Sequence, residues 1–345
     1  MLESQLILDT VRNFSKNKIE PLSEKIDRED WYPRNLVREM GSIGILNPLY
    51  QGLDLYTAML ILEEIAKVSG SVALIQDAQT ELVTEPIRKF SKVDVNALSS
   101  GEKIGSFGLS EPCCGSDTSS MKTKAVKKNE WIITGEKMWI TQGLYADLYL
   151  VAAKVDNKIN AFLVNRDPCI SVSKIEVMGN RGTGTAHVKF EECKGEHIGG
   201  WEVIKYALNI GRVAISAISI GLAEGAIEEA LEWGNSRIVF GKKVLEHQGN
   251  LWKVSDSISK ILMLKSFLKY VCENMNDYLI SSLKLQSSRI SQEIVDQSLQ
   301  IMGGMGYAKG SKIERIYRDI RLTRIGEGSD EVQLHIISKN INKIF

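Results

Sequence analysis

The feature that most constrains the fold is a change of texture midway along the chain. Between about residues 104 and 196, short runs rich in β-branched and aromatic residues alternate with Gly, Asn and Asp: Trp131–Thr134, Leu148–Val151, Ala161–Val164 and His187–Phe190. Runs of this kind, with no helical pattern between them, read as strands of a small barrel or sandwich rather than βαβ units.

On either side the periodicity is helical. Leu62, Ile65 and Val68 recur at spacings of three within 55–68, and Gly70 with its neighbouring serines marks a stop before a further helical stretch toward Phe90. After Gly199-Gly200-Trp201 the helices lengthen. Ile220, Ala223, Ile227 and Ala230 form one apolar stripe; Val254, Ile258, Ile261, Leu264, Leu268 and Val271 form another. Long helices joined by few turn signals pack most simply as an antiparallel bundle. The expected fold is therefore α+β and multidomain: an N-terminal all-α domain over 1–103, a central small β-barrel or sandwich over 104–198, and a C-terminal antiparallel helical bundle over 199–345.

Composition narrows the function classes. Lys plus Arg and Asp plus Glu number 43 each, so no bulk charge draws the chain to nucleic acid or an anionic membrane. No apolar run approaches the ~20 residues of a membrane span. The first residues read as an amphipathic helix rather than a secretory leader, and a cytoplasmic protein is expected. The five cysteines, Cys113, Cys114, Cys169, Cys193 and Cys272, are odd in number with no paired framework, which fits a reducing compartment. The neighbours Cys113 and Cys114 read as two small side chains in a tight loop, because vicinal disulfides are strained. His187, His197, His247 and His335 lack ligand spacing, so no metal is expected.

Two motifs carry chemistry. The first is Gly108-Leu109-Ser110-Glu111-Pro112-Cys113-Cys114-Gly115-Ser116-Asp117, a loop of small and hydroxyl residues suited to backbone contact with a polar heterocycle. The second runs from Gln300-Ile301-Met302-Gly303-Gly304-Met305-Gly306 to Gly326-Glu327-Gly328-Ser329. It sets one carboxylate between two glycines, where backbone and ligand can approach it. Phe107 to Ser110 and Trp139-Ile140-Thr141 offer the hydroxyls, amides and aromatic wall that an isoalloxazine ring needs. Trp139 alone would read as core packing.

In this order and spacing the motifs resemble the FAD-dependent acyl-CoA dehydrogenases, and the likeness extends over most of the chain. The resemblance implies that Phe107, Leu109, Ser110, Trp139, Ile140 and Thr141 hold the flavin, with Trp139 covering the ring and Thr141 near N5. It also assigns Arg237, Phe240, His247 and Gln248, with Gln300, Gly303 and Gly304, to an FAD bound mainly by another subunit. Gly328, Ser329 and Glu331 join the cofactor set. Ser116, Asn209 and Arg212 match substrate-side positions; a turn cap for Ser116 and an ion pair for Arg212 remain open readings.

By the same resemblance Glu327 is the base that removes the α proton of an acyl-CoA, while a hydride passes from Cβ to flavin N5 and a trans-2-enoyl-CoA is left. Electrons then go to an electron-transfer flavoprotein, as in fatty-acid β-oxidation, and a homotetramer or homodimer is expected. Some relatives place the base just before the arginine matching Arg212; here that residue is Gly211, so Glu327 is the motif-supported candidate. Glu111 reads as structural.

The pattern departs from the family in places. The chain is shorter than typical relatives, around 47–53, 91–97 and 155–160, the last belonging to a CoA-contacting loop in some of them. Gly326 stands where many members have tyrosine, which implies a more open pocket for longer or branched chains. Val72 stands where glutaryl-CoA dehydrogenases carry an arginine, which disfavours a dicarboxylic substrate. Two other readings are an oxygen-using flavoenzyme (acyl-CoA oxidase or monooxygenase) and a non-catalytic, flavin-keeping relative that binds nucleic acid. The oxidases are generally longer, the monooxygenases lack a base of the Glu327 kind, and balanced charge disfavours the last.

Overall fold

The computed structural model describes residues 2–344. Helices α1 (Leu2–Phe14), α2 (Glu20–Glu29) and α3 (Arg34–Ser42) precede α4 (Leu55–Ala66), which starts where the Asp54 side chain accepts the Thr57 N–H. Helix α5 (Gly70–Gln79) is capped by Ser69, so Gly70 opens a helix as well as following a stop. The chain continues through a π-helical stretch, Thr80–Thr84, into α6 (Glu85–Phe90). A single-turn α7 (Asn96–Ser99) ends this part.

The β region comprises β1 (Gly105–Gly108), β2 (Lys124–Lys127), β3 (Trp131–Ile140), β4 (Leu148–Val155), β5 (Lys158–Asn165), β6 (Ile170–Lys174) and β7 (Ala186–Gly199). Following the pairings from β4 to β5, β7, β3, β2 and back to β4 closes a ring, the last contact being Lys124 against Lys154. The expected small barrel is what forms. Strand β1 adds in parallel to β4, and β6 lies antiparallel to β7. Alternation along β4 serves two layers. Tyr149, Val151 and Ala153 fill the barrel with Phe162 and Phe190, while Leu148, Leu150 and Ala152 pack with Val83, Ile87 and Ile204 of the helical parts. That second layer fixes the barrel against the helices. Between β4 and β5 only Asp156 and Asn157 turn the chain, both at positive φ (46° and 64°), so the shortened loop is a tight hairpin.

The C-terminal part contains α8 (Trp201–Ser236), α9 (Gln248–Glu273), α10 (Asp277–Met302), α11 (Gly304–Tyr307), α12 (Lys312–Ile320), α13 (Asp330–Ser338) and α14 (Ile341–Ile344). Helix α9 runs back between α8 and α10, as the bundle reading expects. Asn209 meets Asp277 near the starts of α8 and α10, and Ala230 and Ile301 share a cluster near their ends. Helix α8 crosses α4 at very short range: a Cβ on Gly221 would lie 2.3 Å from the Glu63 carbonyl, and one on Gly225 2.4 Å from that of Lys67. Each glycine costs a helix about 1 kcal/mol relative to alanine. The close approach is what requires them here.

Three expectations are corrected. Cys169 and Cys193 form a disulfide, although no pairing was legible in the spacing. Cys169 leads into β6 and Cys193 lies on β7, and the antiparallel register of those strands brings them together across 24 residues. Ile258 is exposed although it falls in the apolar rhythm of α9; Ser257 occupies the buried position instead, one residue or about 100° round the helix. Finally, α8 is long and apolar enough to cross a bilayer, but 94% of its qualifying window is buried inside the fold.

Candidate active site

Glu327 sits in the short loop between the turn Arg321–Arg324 and α13, in the left-handed region at φ 55°. A residue with a Cβ holds that conformation only when its surroundings impose it. Three side chains from three helices do so. Arg212 Nε on α8 donates to the Glu327 carbonyl at 3.1 Å, and Gln333 Nε2 on α13 donates to the same carbonyl at 3.1 Å and to that of Gly328 at 2.9 Å. Lys284 Nζ on α10 donates to the Gly328 carbonyl at 2.7 Å.

The loop is clamped through its backbone, so the Glu327 carboxyl is left free. Its Oε2 is shut off from solvent and has no hydrogen-bond partner. Burial raises this carboxyl to about 7, against the opposing pull of Arg212 and Lys284. Lys284 is itself brought down to about 8 by burial, with Asp330 and Glu327 resisting. A carboxyl poised near neutrality, with one oxygen shut off from solvent, suits a general base.

Arg212 and Asn209 belong to this site. Arg212 Nη1 donates to Asn209 Oδ1 at 3.1 Å, and Asn209 Nδ2 donates to Asp277 Oδ1 at 3.1 Å. The arginine therefore supports the Glu327 loop through neutral acceptors rather than through an ion pair. Ser116 is exposed on its loop, and the cap there is Asp117, which accepts the Ser119 N–H.

On the barrel, Met138 N–H donates to the Ser110 carbonyl at 2.8 Å, which ties the two flavin-type segments together. Phe107 and Ser110 are half-buried and Leu109 is buried. The register of β3 against β7 slips between Lys137 and Ile140, and Trp139 takes φ 64° within that irregularity. Its ring is turned outward and is 59% exposed, so it is not a core residue. Ile140, one step on, buries its side chain in the barrel and keeps only backbone for a ligand. The Thr141 carbonyl accepts the Ser106 hydroxyl. Glu111 has the structural role expected of it. Burial would raise its carboxyl, but Lys137, the Lys122 N–H and Thr123 overcome this and hold it at about 2. Lys137 Nζ bridges Glu111 at 2.8 Å and the Leu109 carbonyl at 3.0 Å, which makes the loop rigid.

The remaining cofactor-type residues lie elsewhere. Val244, Leu245 and Ile301 pack in one cluster, and this brings the Arg237–Gln248 segment against the end of α10. Arg237, Phe240, Gln248, Gln300, Gly303 and Gly304 are exposed there, and His247 Nε2 contacts the Val239 carbonyl. A Cβ on Gly241, Gly303 or Gly304 would meet nothing within 4 Å, so this face is an open cradle. From Lys284 to Ile301 along α10 is about 25 Å at the helical rise. These residues are thus not brought to Glu327 within one chain. Gly328, Ser329 and Glu331 follow the base directly, with Ser329 opening α13 and Glu331 exposed.

Three residues that hold or support the Glu327 loop were not foreseen: Lys284, Gln333 and Asp277. Nor were the buried acids Asp77 and Glu81, four apart in a helical stretch that also carries Gln76, Gln79 and Thr80. Potential metal ligands come together at Glu111, Cys113 and Cys114, whose ligand atoms lie within 4.8 Å of one another.

The residues present fit a flavin. The barrel offers an outward Trp139 beside the rigid Leu109–Ser110 turn, the Glu327 loop offers a buried, partnerless carboxyl oxygen, and the glycine cradle offers open backbone. Comparison with known proteins agrees. Residues 2–96, 106–193 and 199–342 match the N-terminal, middle and C-terminal domains of acyl-CoA dehydrogenase. The chain is 31% identical over 368 residues to the human mitochondrial short-chain specific acyl-CoA dehydrogenase, covering 98% of this chain and 89% of that one. The butyryl-CoA dehydrogenase of Megasphaera elsdenii superposes with TM-score 0.92 at 27% identity, covering 98% of each chain. A chain solved in work on the electron transferring flavoprotein of Acidaminococcus fermentans superposes with TM-score 0.94 at 28% identity, covering 99% of this chain and 98% of that one.

Proposed function

The chain belongs to the acyl-CoA dehydrogenase family, a family of flavin-dependent oxidoreductases, and from that premise we propose that it oxidises an acyl-CoA thioester between Cα and Cβ. The observation that carries the reading is the carboxyl of the half-buried Glu327, whose Oε2 is shut off from solvent without a partner and which is raised to about 7. Glu327 takes the α proton. Arg212, Gln333 and Lys284 hold its loop, so the carboxyl need not reorganise during proton transfer.

FAD is the proposed cofactor, with Leu109, Ser110, Trp139 and Thr141 at its ring and Gly328 and Ser329 beside it. When bound, it supplies the acceptor for the hydride leaving Cβ. Arg237, Phe240, His247, Gln248, Gln300, Gly303 and Gly304 would serve the cofactor of another copy, because about 25 Å of helix separates them from Glu327. On that argument the working enzyme is a homo-oligomer, with a tetramer the leading expectation. The exposed Ile238, Phe240, Leu251, Trp252, Leu262 and Met263 give such contacts apolar area. An electron-transfer flavoprotein is the proposed acceptor, supported by likeness to the chain solved with that subject. Cytoplasmic fatty-acid β-oxidation is the proposed setting.

The test is anaerobic addition of acyl-CoAs to the flavin-loaded protein. Bleaching of the flavin with at least one of them, abolished in Glu327→Gln, is expected. Absence of bleaching with every acyl-CoA overturns the reading, and rapid reoxidation by air would move it to the oxygen-using class.

A further inference from the structure

Asp77 on α5 and Glu81 in the π-helical stretch are fully buried, and all four of their carboxyl oxygens lack hydrogen-bond partners. Such groups are rare in native proteins because a buried polar atom without a partner has lost its water and gained nothing in exchange. Neighbouring carboxyls in the same helical stretch are handled differently: Glu85 is paired with Arg88 at 2.7 Å. Burial raises both carboxyls well above the ordinary carboxylate range, and the charges near them add to this: Glu327 and Glu81 beside Asp77, and Glu85 beside Glu81. No cation of this chain therefore answers the pair among the described residues.

Their placement ties them to the base. Helix α5 and the π-helical stretch both pack on α8, and Leu82, next to Glu81, faces Gly211. A Cβ on Gly211 would lie 2.6 Å from Leu82 Cδ2 and 3.1 Å from Glu327 Oε2. The wall carrying Glu81 and the carboxyl of the base thus meet with no side chain of α8 between them. Arg212 Nε and Lys284 Nζ point to the loop carbonyls of Glu327 and Gly328, and Arg212 Nη1 to Asn209.

We propose that Asp77 and Glu81 form the far end of the acyl site and recognise a short acyl group ending in a protonated amine. The inference rests on the reading of Glu327 as the base of an acyl thioester dehydrogenase. An ammonium carries three N–H donors and a positive charge, so it can serve both carboxyls at once; a hydroxyl has one donor and an alkyl end has none. A terminal carboxylate brings no donor and no positive charge, so it finds no cation here and adds a further acid to the cluster. Burial of Val72, which supplies no cation to this stretch, is in keeping with that. Gly326, where a Cβ would make only ordinary contacts with Leu322, lies on the loop side, so room there and an acidic far end are compatible.

The test uses flavin-loaded protein near neutral pH, where an alkyl amine remains protonated. Freshly made 5-aminopentanoyl-CoA, 5-hydroxypentanoyl-CoA, hexanoyl-CoA and glutaryl-CoA are compared by rate of anaerobic flavin bleaching. The amino thioester is expected to exceed hexanoyl-CoA by about tenfold or more in kcat/KM, with glutaryl-CoA lowest. In Asp77→Asn and Glu81→Gln the amino-to-hexanoyl ratio falls by about tenfold, while Tm does not drop because neither carboxyl makes a hydrogen bond that the isosteric amide would lose. The inference is overturned if hexanoyl-CoA or the hydroxy thioester equals the amino thioester, or if neither variant moves the ratio. Bleaching by hexanoyl-CoA without amine preference sinks this inference alone. Failure of every thioester sinks the proposed reaction and this inference with it.

Discussion

The α-position of Gly211 faces the carboxyl of Glu327: a Cβ there would stand 3.1 Å from Oε2. The missing side chain on α8 is what gives the base its place, and it also leaves Leu82 within reach of the same point. Glycine in the middle of a long helix is otherwise unfavourable, so this position is accounted for by the site rather than by the helix.

Gly211→Ala should therefore separate activity from stability. The alanine gains about 1 kcal/mol of helix propensity, offset by its contact with Leu82, so Tm should move little. Displacement of the Glu327 carboxyl should lower kcat by about tenfold to a hundredfold. Stopped-flow bleaching with the best acyl-CoA and a thermal scan of the same sample check both halves.

Glu327→Gln should abolish bleaching while leaving the flavin bound. The wild-type kcat/KM should rise with pH and level off above about 7, since only the carboxylate accepts a proton. The stability sign is the reverse of the usual carboxylate case. Folded Glu327 binds its proton more tightly than the unfolded chain, whose ordinary value is 4.5, so the group costs stability as pH rises from 4.5 to about 7. Relative to wild type, the glutamine variant should gain stability across that window and show no advantage below it, as read by denaturant melts at several pH values.

Lys284→Gln removes a donor to the Gly328 carbonyl and a charge that holds the Glu327 carboxyl down. The acid limb of the kcat/KM profile should shift to higher pH by about half a unit or more. A purely structural role for Lys284 would lower activity without moving that limb.

If each cofactor site uses residues of two chains, inactive variants can complement one another. Phe240→Ala with Gly303→Val damages the open cradle, and Glu327→Gln damages the base. Co-expression of the two should restore measurable bleaching, because some mixed oligomers contain a site with both halves intact. No recovery in mixed oligomers confirmed by tagged purification would refute shared sites.

Cys169→Ser should lower stability by about 3 kcal/mol, from the loss of a cross-link spanning 24 residues, with little effect on turnover. Thiol titration of the unreduced, denatured wild type should find three free cysteines, Cys113, Cys114 and Cys272.

The architecture and the candidate base were legible in the amino-acid order because both depend on local pattern. Alternating β-branched runs close into a barrel, threes and fours of apolar residues make α8 to α10, and Glu327 stands between two glycines in a recognisable motif. Trp139 was legible as a flavin-type residue, but its outward orientation depends on the slipped register of β3 on β7. Ile258 fitted the apolar rhythm and still faces out, because a helix stripe is defined to within one residue and the packing partner makes the choice.

Sequence alone determined which elements form and which acid the motif singles out as the candidate base, since helix period, strand alternation and motif spacing are properties of neighbouring residues. Tertiary structure alone decided that Cys169 meets Cys193, that Lys284 and Gln333 clamp the Glu327 loop, and that Asp77 and Glu81 are left without a cation. Those facts depend on contacts between segments far apart in the chain, and whether a buried carboxyl is paired is settled only when every element around it is in place.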